Sequence, residues 1–411
     1  MTELGTIRDL HVSGRGLRMP PSPIRKLAVF ADAAKRRGTS ILHLNIGQPD
    51  IETPACMLAR LRDVTETVLE YSPSQGIPEF LDSMATYYQR TGIDVTTREI
   101  IATTGGSEAI LFAFMAVGDV GDEILVVEPF YANYRSFAEM AGLKVVPLRS
   151  HGENGFHLPP RSEWEAKVTE HTRAVIICNP NNPTGTVYGS EELEELAAFC
   201  RERNLFLISD EVYREFVYDG GIAMSALNLA GMEEHVIVVD SLSKRYSACG
   251  IRLGAFVTRS KQLFEVAMRM AQARLSPPRL AQIIATSVSE LPDSYTSDVM
   301  TEYRHRRDVL YEELMKIPGV YLAKPEGAFY VVARIPVKSS DDFAKWLLTD
   351  FSHNGETVMV APASGFYATP GLGEDEIRIA YVLDAGRLRR AVELLGRALC
   401  EYNMKQPAAS G

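Results

Sequence analysis

Cysteine is scarce in this chain: 411 residues contain five, and no two of them stand at the spacing of a redox or metal motif. Cys56, Cys178, Cys200, Cys249 and Cys400 are scattered, which argues against a disulfide framework and against a metal site. A reducing compartment, the cytoplasm, is the expected location. Long apolar runs are missing too, and none approaches the ~20 residues that span a bilayer. The first ten residues, M-T-E-L-G-T-I-R-D-L, lack the basic-then-apolar pattern of a secretory signal. Lysine and arginine form no block, and 53 acidic residues outweigh 43 basic ones for a formal net charge of −10, so nucleic acid and anionic membrane are poor partners. Internal repeats and low-complexity tracts are likewise absent.

What is present is an ordinary globular composition, 46% hydrophobic and 23% charged, on a chain long enough for a large domain and a smaller one. Pro20, Pro21 and Pro23 forbid a continuous helix near the start, and Ile24 to Arg37 reads as a short amphipathic helix ended near Gly38. From about residue 99 apolar strands alternate with helical stretches. The strand candidates are Ile100–Thr103, Ile124–Val127, Val175–Cys178, Leu205–Ser209 and Val236–Asp240. The helix candidates are Ser107–Val117, Ala132–Ala141 and Ser190–Asn204. Continuously apolar strands imply a sheet covered on both faces, hence a mostly parallel α/β architecture. Beyond about Tyr295 the pattern shifts to a charged helix (Met300–Met315), strands near Phe329–Val332 and Ile377–Val382, and helices near Asp341–Asp350 and Arg387–Tyr402. The expected division is an N-terminal arm (1–45) contributing to the small domain, a large α/β domain (46–290) and a small α+β domain (291–411), with fraying after Tyr402.

Four polar motifs fall at strand ends, where open α/β sheets form their ligand crevice. Thr103 to Ala109, T-T-G-G-S-E-A, joins a strand to a helix. Gly105 and Gly106 permit close backbone approach, and Gly106, Ser107 and Glu108 offer N–H groups suited to an anion. Taken alone, such a turn is more often only a turn. Asn179 to Gly185, N-P-N-N-P-T-G, is a loop held by two prolines, in which Asn182 presents an amide donor. Ser209 to Tyr213, S-D-E-V-Y, puts Asp210 at the end of a buried strand, a costly place for an unpaired carboxylate. A helix N-cap would explain that aspartate equally well in isolation. Asp240 to Gly254, D-S-L-S-K-R-Y-S-A-C-G-I-R-L-G, sets Lys244 just past a strand, where partial burial favours the neutral amine that carbonyl chemistry needs. Ser241, Ser243 and Arg252 add donors and positive charge suited to a phosphate. A lone lysine is usually a solvated surface residue, so the weight rests on the combination.

In that order and at those intervals, S-x-x-K-x-x-x-x-x-x-x-R, N-P-x-N-P-T-G and D-x-x-Y make the chain resemble the class I/II aminotransferases, which are fold-type I pyridoxal-phosphate (PLP) enzymes, and in particular the bacterial aspartate-aminotransferase-like ones. The resemblance extends from L-N-I-G-Q-P-D (Leu44–Asp50) to E-I-R-I-A-Y-V (Glu376–Val382). It implies the PLP-dependent transferase fold of type I, a mostly parallel seven-stranded large domain with a smaller α+β domain. It implies a ping-pong transfer of an amino group from an amino acid to a 2-oxo acid, with PLP as cofactor. Lys244 resembles the Schiff-base lysine and proton shuttle, and Asp210 the partner of the pyridine nitrogen, which makes the ring an electron sink. Asn182 and Tyr213 resemble the pair on the cofactor's 3′ oxygen, and Tyr131 the ring-stacking aromatic. Gly105, Gly106, Ser107, Ser241, Ser243 and Arg252 resemble the phosphate cup. Tyr71 resembles a tyrosine that reaches the neighbouring subunit's cofactor, which implies a homodimer. Arg378 resembles the arginine on the substrate α-carboxylate, with Gly47 and Asn182 beside it.

The chain departs from the pattern where substrate is chosen. Some bacterial aspartate enzymes of this family carry G-G-K-Q, with a lysine for the distal carboxylate. Here the segment is G-G-S-E, with Ser107 in that place. Arg274, in A-R-L-S-P-P-R, is a candidate for the same task, and Ile251 stands where many members have an aromatic residue. A β-lyase, decarboxylase, cyclase or oxidase on the same scaffold is the competing reading, because cofactor chemistry is shared and only the orientation of the breaking Cα bond differs. A ligand-sensing domain of a transcriptional regulator would need a DNA-binding module, and the net charge argues against it.

Overall fold

The computed structural model describes residues 10–292 and 294–405. Twelve strands appear among them. They are β1 (Ser40–His43), β2 (Ile100–Thr103), β3 (Glu123–Glu128), β4 (Lys144–Arg149), β5 (Thr172–Cys178) and β6 (Phe206–Asp210). The remainder are β7 (Val236–Ser241), β8 (Gly254–Val257), β9 (Tyr330–Arg334), β10 (Glu356–Met359), β11 (Ala361–Pro362) and β12 (Glu376–Ala380).

Seven of these form one sheet in the order β2-β8-β7-β6-β5-β3-β4, and only β8 runs against its neighbours. The reason lies in the strand sequences. Successive residues point to opposite faces, so an unbroken apolar run needs cover on both. Ile124, Val126, Ile176, Ile208, Ile237 and Val239 pack on one face with the helix Gly105–Val117. Leu125, Val127, Val175, Ile177, Leu207 and Val238 pack on the other with the helices Pro78–Arg90 and Ser190–Arg203.

A second core gathers the elements after residue 300 and recruits Leu27, Ala31, Ile41 and Leu42 from near the start. There β11-β12-β9 make an antiparallel sheet, and β1 lies parallel to β10. The helix Ala28–Arg36 packs against the helix Ser340–Thr349.

Several elements differ from the sequence expectation. The segment Ile24 to Arg37 opens with a 3-10 turn, Arg25–Leu27, before the α-helix begins at Ala28. The charged helix starts earlier, at Tyr295, and ends at Leu314. The last helix runs from Ala385 to Lys405, past the expected fraying point at Tyr402. The remainder of the expected frayed tail, 406–411, lies outside the described residues. Among the described residues no helix is long and apolar enough to cross a membrane, and no group of His, Cys, Asp or Glu could hold a metal ion.

Candidate active site

The carboxyl ends of β2, β5, β6 and β7 open on a cavity of about 470 Å³. The motif residues Gly106, Ser107, Asn182, Asp210, Tyr213 and Lys244 line it. Ser241, Ser243, Arg252, Tyr131, Gly47 and Arg378 line it too, although the last two come from the two ends of the chain.

One wall is built for an anion. Gly105 opens the helix Gly105–Val117 with φ +70°, and a Cβ there would lie 2.6 Å from Arg252 Nη2. Gly105 thus stands behind the wall, leaving the guanidinium its place. Ser241 Oγ donates to Ser243 Oγ at 3.0 Å, and Arg252 Nη1 lies 3.5 Å from the same Ser243 oxygen. Arg252 itself has φ +54°, a left-handed conformation that costs a non-glycine residue energy and fixes where its side chain starts. Hydroxyls, a guanidinium and helix N-terminal N–H groups converge here without an acid among them.

Asp210 ends β6 with 5% of its surface exposed. Its Oδ2 accepts the Tyr134 hydroxyl at 2.7 Å and its Oδ1 the Val212 N–H at 3.4 Å. Burial pushes its carboxyl up to about 6; the two donors oppose the rise, and the Asp240 and Glu211 charges add to it. No ion pair reaches Asp210 among the described residues.

Lys244 sits on the short helix Leu242–Arg245 that follows β7. Its Nζ donates to the Gly47 carbonyl at 2.7 Å and lies 3.6 Å from Cys249 Sγ. The next residue anchors this turn: Arg245 is buried and pairs with Asp240 at 2.9 Å and Glu215 at 3.0 Å. Lys244 therefore projects from a fixed base.

Arg378, in β12, is 2% exposed and has no ion pair among the described residues. Its Nη1 donates to Asn182 Oδ1 at 3.3 Å, its Nη2 to the Asn45 carbonyl, and its buried Nε has no acceptor. The guanidinium carbon lies 4.7 Å from the Tyr330 ring centroid and 4.9 Å from that of Phe366. Desolvation holds this guanidinium below its ordinary pKa. The segment carrying Phe366 is pinned to the large sheet, because Glu128 of β3 accepts the Ala368 and Thr369 N–H groups at 2.9 and 3.1 Å. A side chain at Gly47 would strike the Tyr330 hydroxyl, 1.7 Å from its Cβ.

Tyr213 and Tyr330 share a hydrogen bond of 2.9 Å between hydroxyls. The Tyr131 hydroxyl accepts from Asn133 Nδ2 at 2.8 Å, and burial pushes its phenol up to about 12. Two sequence candidates lie elsewhere. Tyr71 is 79% exposed and outside the cavity of its own chain. Arg274 does not line the cavity, which corrects its reading as a distal-carboxylate candidate. Its Nη2 donates to the Ser74 and Ala102 carbonyls at 3.0 and 2.9 Å, and its Nη1 lies 3.3 Å from Glu108. Sequence reasoning missed Tyr134, Tyr330, Asn45 and Phe366. Their only signal was an aromatic or amide near a motif, as in G-A-F-Y for Tyr330.

A lysine, a buried aspartate and an anion cradle at the strand ends of a seven-stranded, mostly parallel sheet define a transferase of fold type I. The comparisons with known proteins narrow this class. Residues 39–395 match the model of the family described as aminotransferase class I and II. The probable aspartate/prephenate aminotransferase of Aquifex aeolicus is 32% identical over 397 residues, covering 95% of this chain and 99% of the relative. Aromatic-amino-acid aminotransferase 2 of Thermococcus litoralis is 32% identical over 403 residues, covering 96% and 100%. A solved mutant of Thermus thermophilus aspartate aminotransferase superposes with a TM-score of 0.86 at 30% identity, covering 95% of this chain and 100% of that one. This chain belongs to the class I and II aminotransferase family, and its reaction is a transamination.

Proposed function

We propose that the cavity holds pyridoxal 5′-phosphate and that the enzyme moves an amino group from an L-amino acid to a 2-oxo acid. One observation carries the reading. Two buried charges without counter-ions among the described residues face the same space, Asp210 lacking a cation and Arg378 lacking an anion. A ligand set with a protonated ring nitrogen and a substrate carboxylate satisfies both.

When bound, the cofactor supplies a carbonyl carbon for the amine and a ring that draws electrons from Cα. The chain's residues do the rest. Asp210 keeps the proton on the ring nitrogen. Gly106, Ser107, Ser241, Ser243 and Arg252 would hold the phosphate, and Tyr131 would supply an aromatic face for the pyridine. Asn182 and Tyr213 donate to the 3′ oxygen. Arg378 grips the α-carboxylate through its guanidinium fork, flanked by Asn182 and the Gly47 N–H, and so fixes which Cα bond faces Lys244. Lys244 Nζ would be the group that takes up and returns the proton at Cα.

The active unit in this reading is a homodimer in which exposed Tyr71 reaches the neighbouring phosphate. Residues 46–290 form the large domain, and 1–45 join 291–411, supported by the β1–β10 pairing. A cytoplasmic location fits five cysteines that are all free.

The test mixes the PLP-loaded enzyme with single amino acids and no oxo acid while the cofactor's absorbance is followed. Conversion to the amine form in one stoichiometric step, reversed by an oxo acid, is expected. Continuous product formation without an oxo acid would replace transamination by lyase, decarboxylase or oxidase chemistry.

A further inference from the structure

We propose that Arg25 is the receptor for a second carboxylate, so that the amino donor and oxo-acid acceptor are dicarboxylic. The proposal rests on the transaminase reading above and names the substrate class of that same site.

Charge in the cavity is unbalanced. Four basic side chains line it, Lys244, Arg252, Arg378 and Arg25, against one carboxylate, Asp210. The first three are taken by the amine chemistry, the phosphate and the α-carboxylate. Arg25 has no such task. Its guanidinium makes no hydrogen bond or ion pair among the described residues; only its backbone N–H is engaged, donating to Ser22 Oγ at 3.3 Å. Adjacent Lys26, by contrast, pairs with Asp341, which also accepts the Ser364 hydroxyl at 2.6 Å.

The segment that carries Arg25 is tied to the wall behind Arg378. Pro23 packs so closely on Gly365 that a Cβ there would lie 2.2 Å from its own Cβ. Ile24 packs on the cluster that contains Phe366, the ring stacked on Arg378. Arg25 and Arg378 are therefore held by one structural unit at one cavity, with a planar fork on each for a carboxylate. Ser107 also lines the cavity, and Arg274 is turned away into backbone carbonyls, so Arg25 is the cation left to read a distal anion.

The test uses the PLP-loaded enzyme and the variants Arg25→Gln and Arg25→Lys. The Arg25 guanidinium has no hydrogen-bond or ion-pair partner among the described residues, so neither change removes one. Steady-state kcat/KM is measured for aspartate, glutamate, alanine and phenylalanine. Binding of succinate, which carries two carboxylates and no amine, is measured separately by calorimetry. The parent should prefer aspartate or glutamate. Arg25→Gln should lower the aspartate-to-alanine ratio of kcat/KM by about tenfold or more, the range of a partly solvated charge-assisted contact. Succinate affinity should fall by a similar factor, and Arg25→Lys should restore part of both. A parent without dicarboxylate preference, an unchanged ratio, or an unchanged succinate affinity would overturn the proposal. If no amino acid converts the cofactor at all, the transaminase reading fails instead, and the succinate result still decides whether Arg25 binds a second carboxylate.

Discussion

Replacing Asp210 with asparagine separates the cost of a buried carboxylate from its use. In the cofactor-free chain its carboxyl moves from an ordinary 3.8 to about 6, chiefly through burial. At 1.36 kcal/mol per unit that rise corresponds to about 3 kcal/mol. The sign follows from proton binding. Between those two values the folded chain keeps a proton that the unfolded chain has released, so stability falls as pH rises through this window and stays lower above it. Asparagine has the same shape, keeps an oxygen for the Tyr134 hydroxyl and never ionises. The cofactor-free variant should thus match the parent near pH 4 and exceed it by up to about 3 kcal/mol near pH 8. Urea unfolding of both proteins across that range measures the difference. Loading with PLP should reverse the order at pH 8, because the ring cation then pairs with Asp210 and asparagine offers it no charge. Turnover should collapse with it. A stability difference that does not change with pH, or a variant less stable throughout, would refute the picture of an unpaired buried carboxylate waiting for a cation.

Gly105→Ala should weaken PLP binding, since a side chain at φ +70° costs about 1–2 kcal/mol and this one would press on Arg252; equilibrium dialysis against PLP measures it, and an unchanged affinity would remove the turn from the phosphate site. Arg378→Lys should cut kcat/KM for every amino donor by at least about tenfold, because an ammonium cannot form the paired bonds of the fork. Lys244→Ala should keep the cofactor and lose turnover by several orders of magnitude. Mixed and re-equilibrated with Tyr71→Ala, it should regain activity, since one site of the hybrid dimer then has both residues intact. No regain would place Tyr71 outside the neighbour's site.

The large sheet was legible because its central strands are apolar without interruption and each serves two cores. The edge strand β4 was not, since K-V-V-P-L-R mixes charge and proline that only a strand with one neighbour tolerates. Nor was β8, four residues opening at Gly254, where a Cβ would meet the Asp240 carbonyl at 2.6 Å. At the site, Lys244 and Asn182 could be read because each follows a strand within a motif, and Asp210 because it ends one. Tyr330 and Arg25 carry no such marker, and only packing brings them to the cavity, while Tyr134 acts on it from behind, through its hydrogen bond to Asp210. Arg274 shows the converse: a sequence displays a charge but not the carbonyls that claim it.

The parallel pairing of β1 with β10 has a consequence for synthesis. Ser40 meets Glu356, a partner made 316 residues later. At roughly 5–20 residues per second, β1 waits on the order of 15–60 s for its partner to be made. The strands of the large sheet, from Ile100 to Val257, are all available before then. The order of events on the ribosome is therefore inverted relative to the sequence. The segment that carries Arg25 and β1 is made before the large sheet but paired after it, so the wall around Ser241 and Arg252 can form before the wall that Arg25 and Arg378 supply.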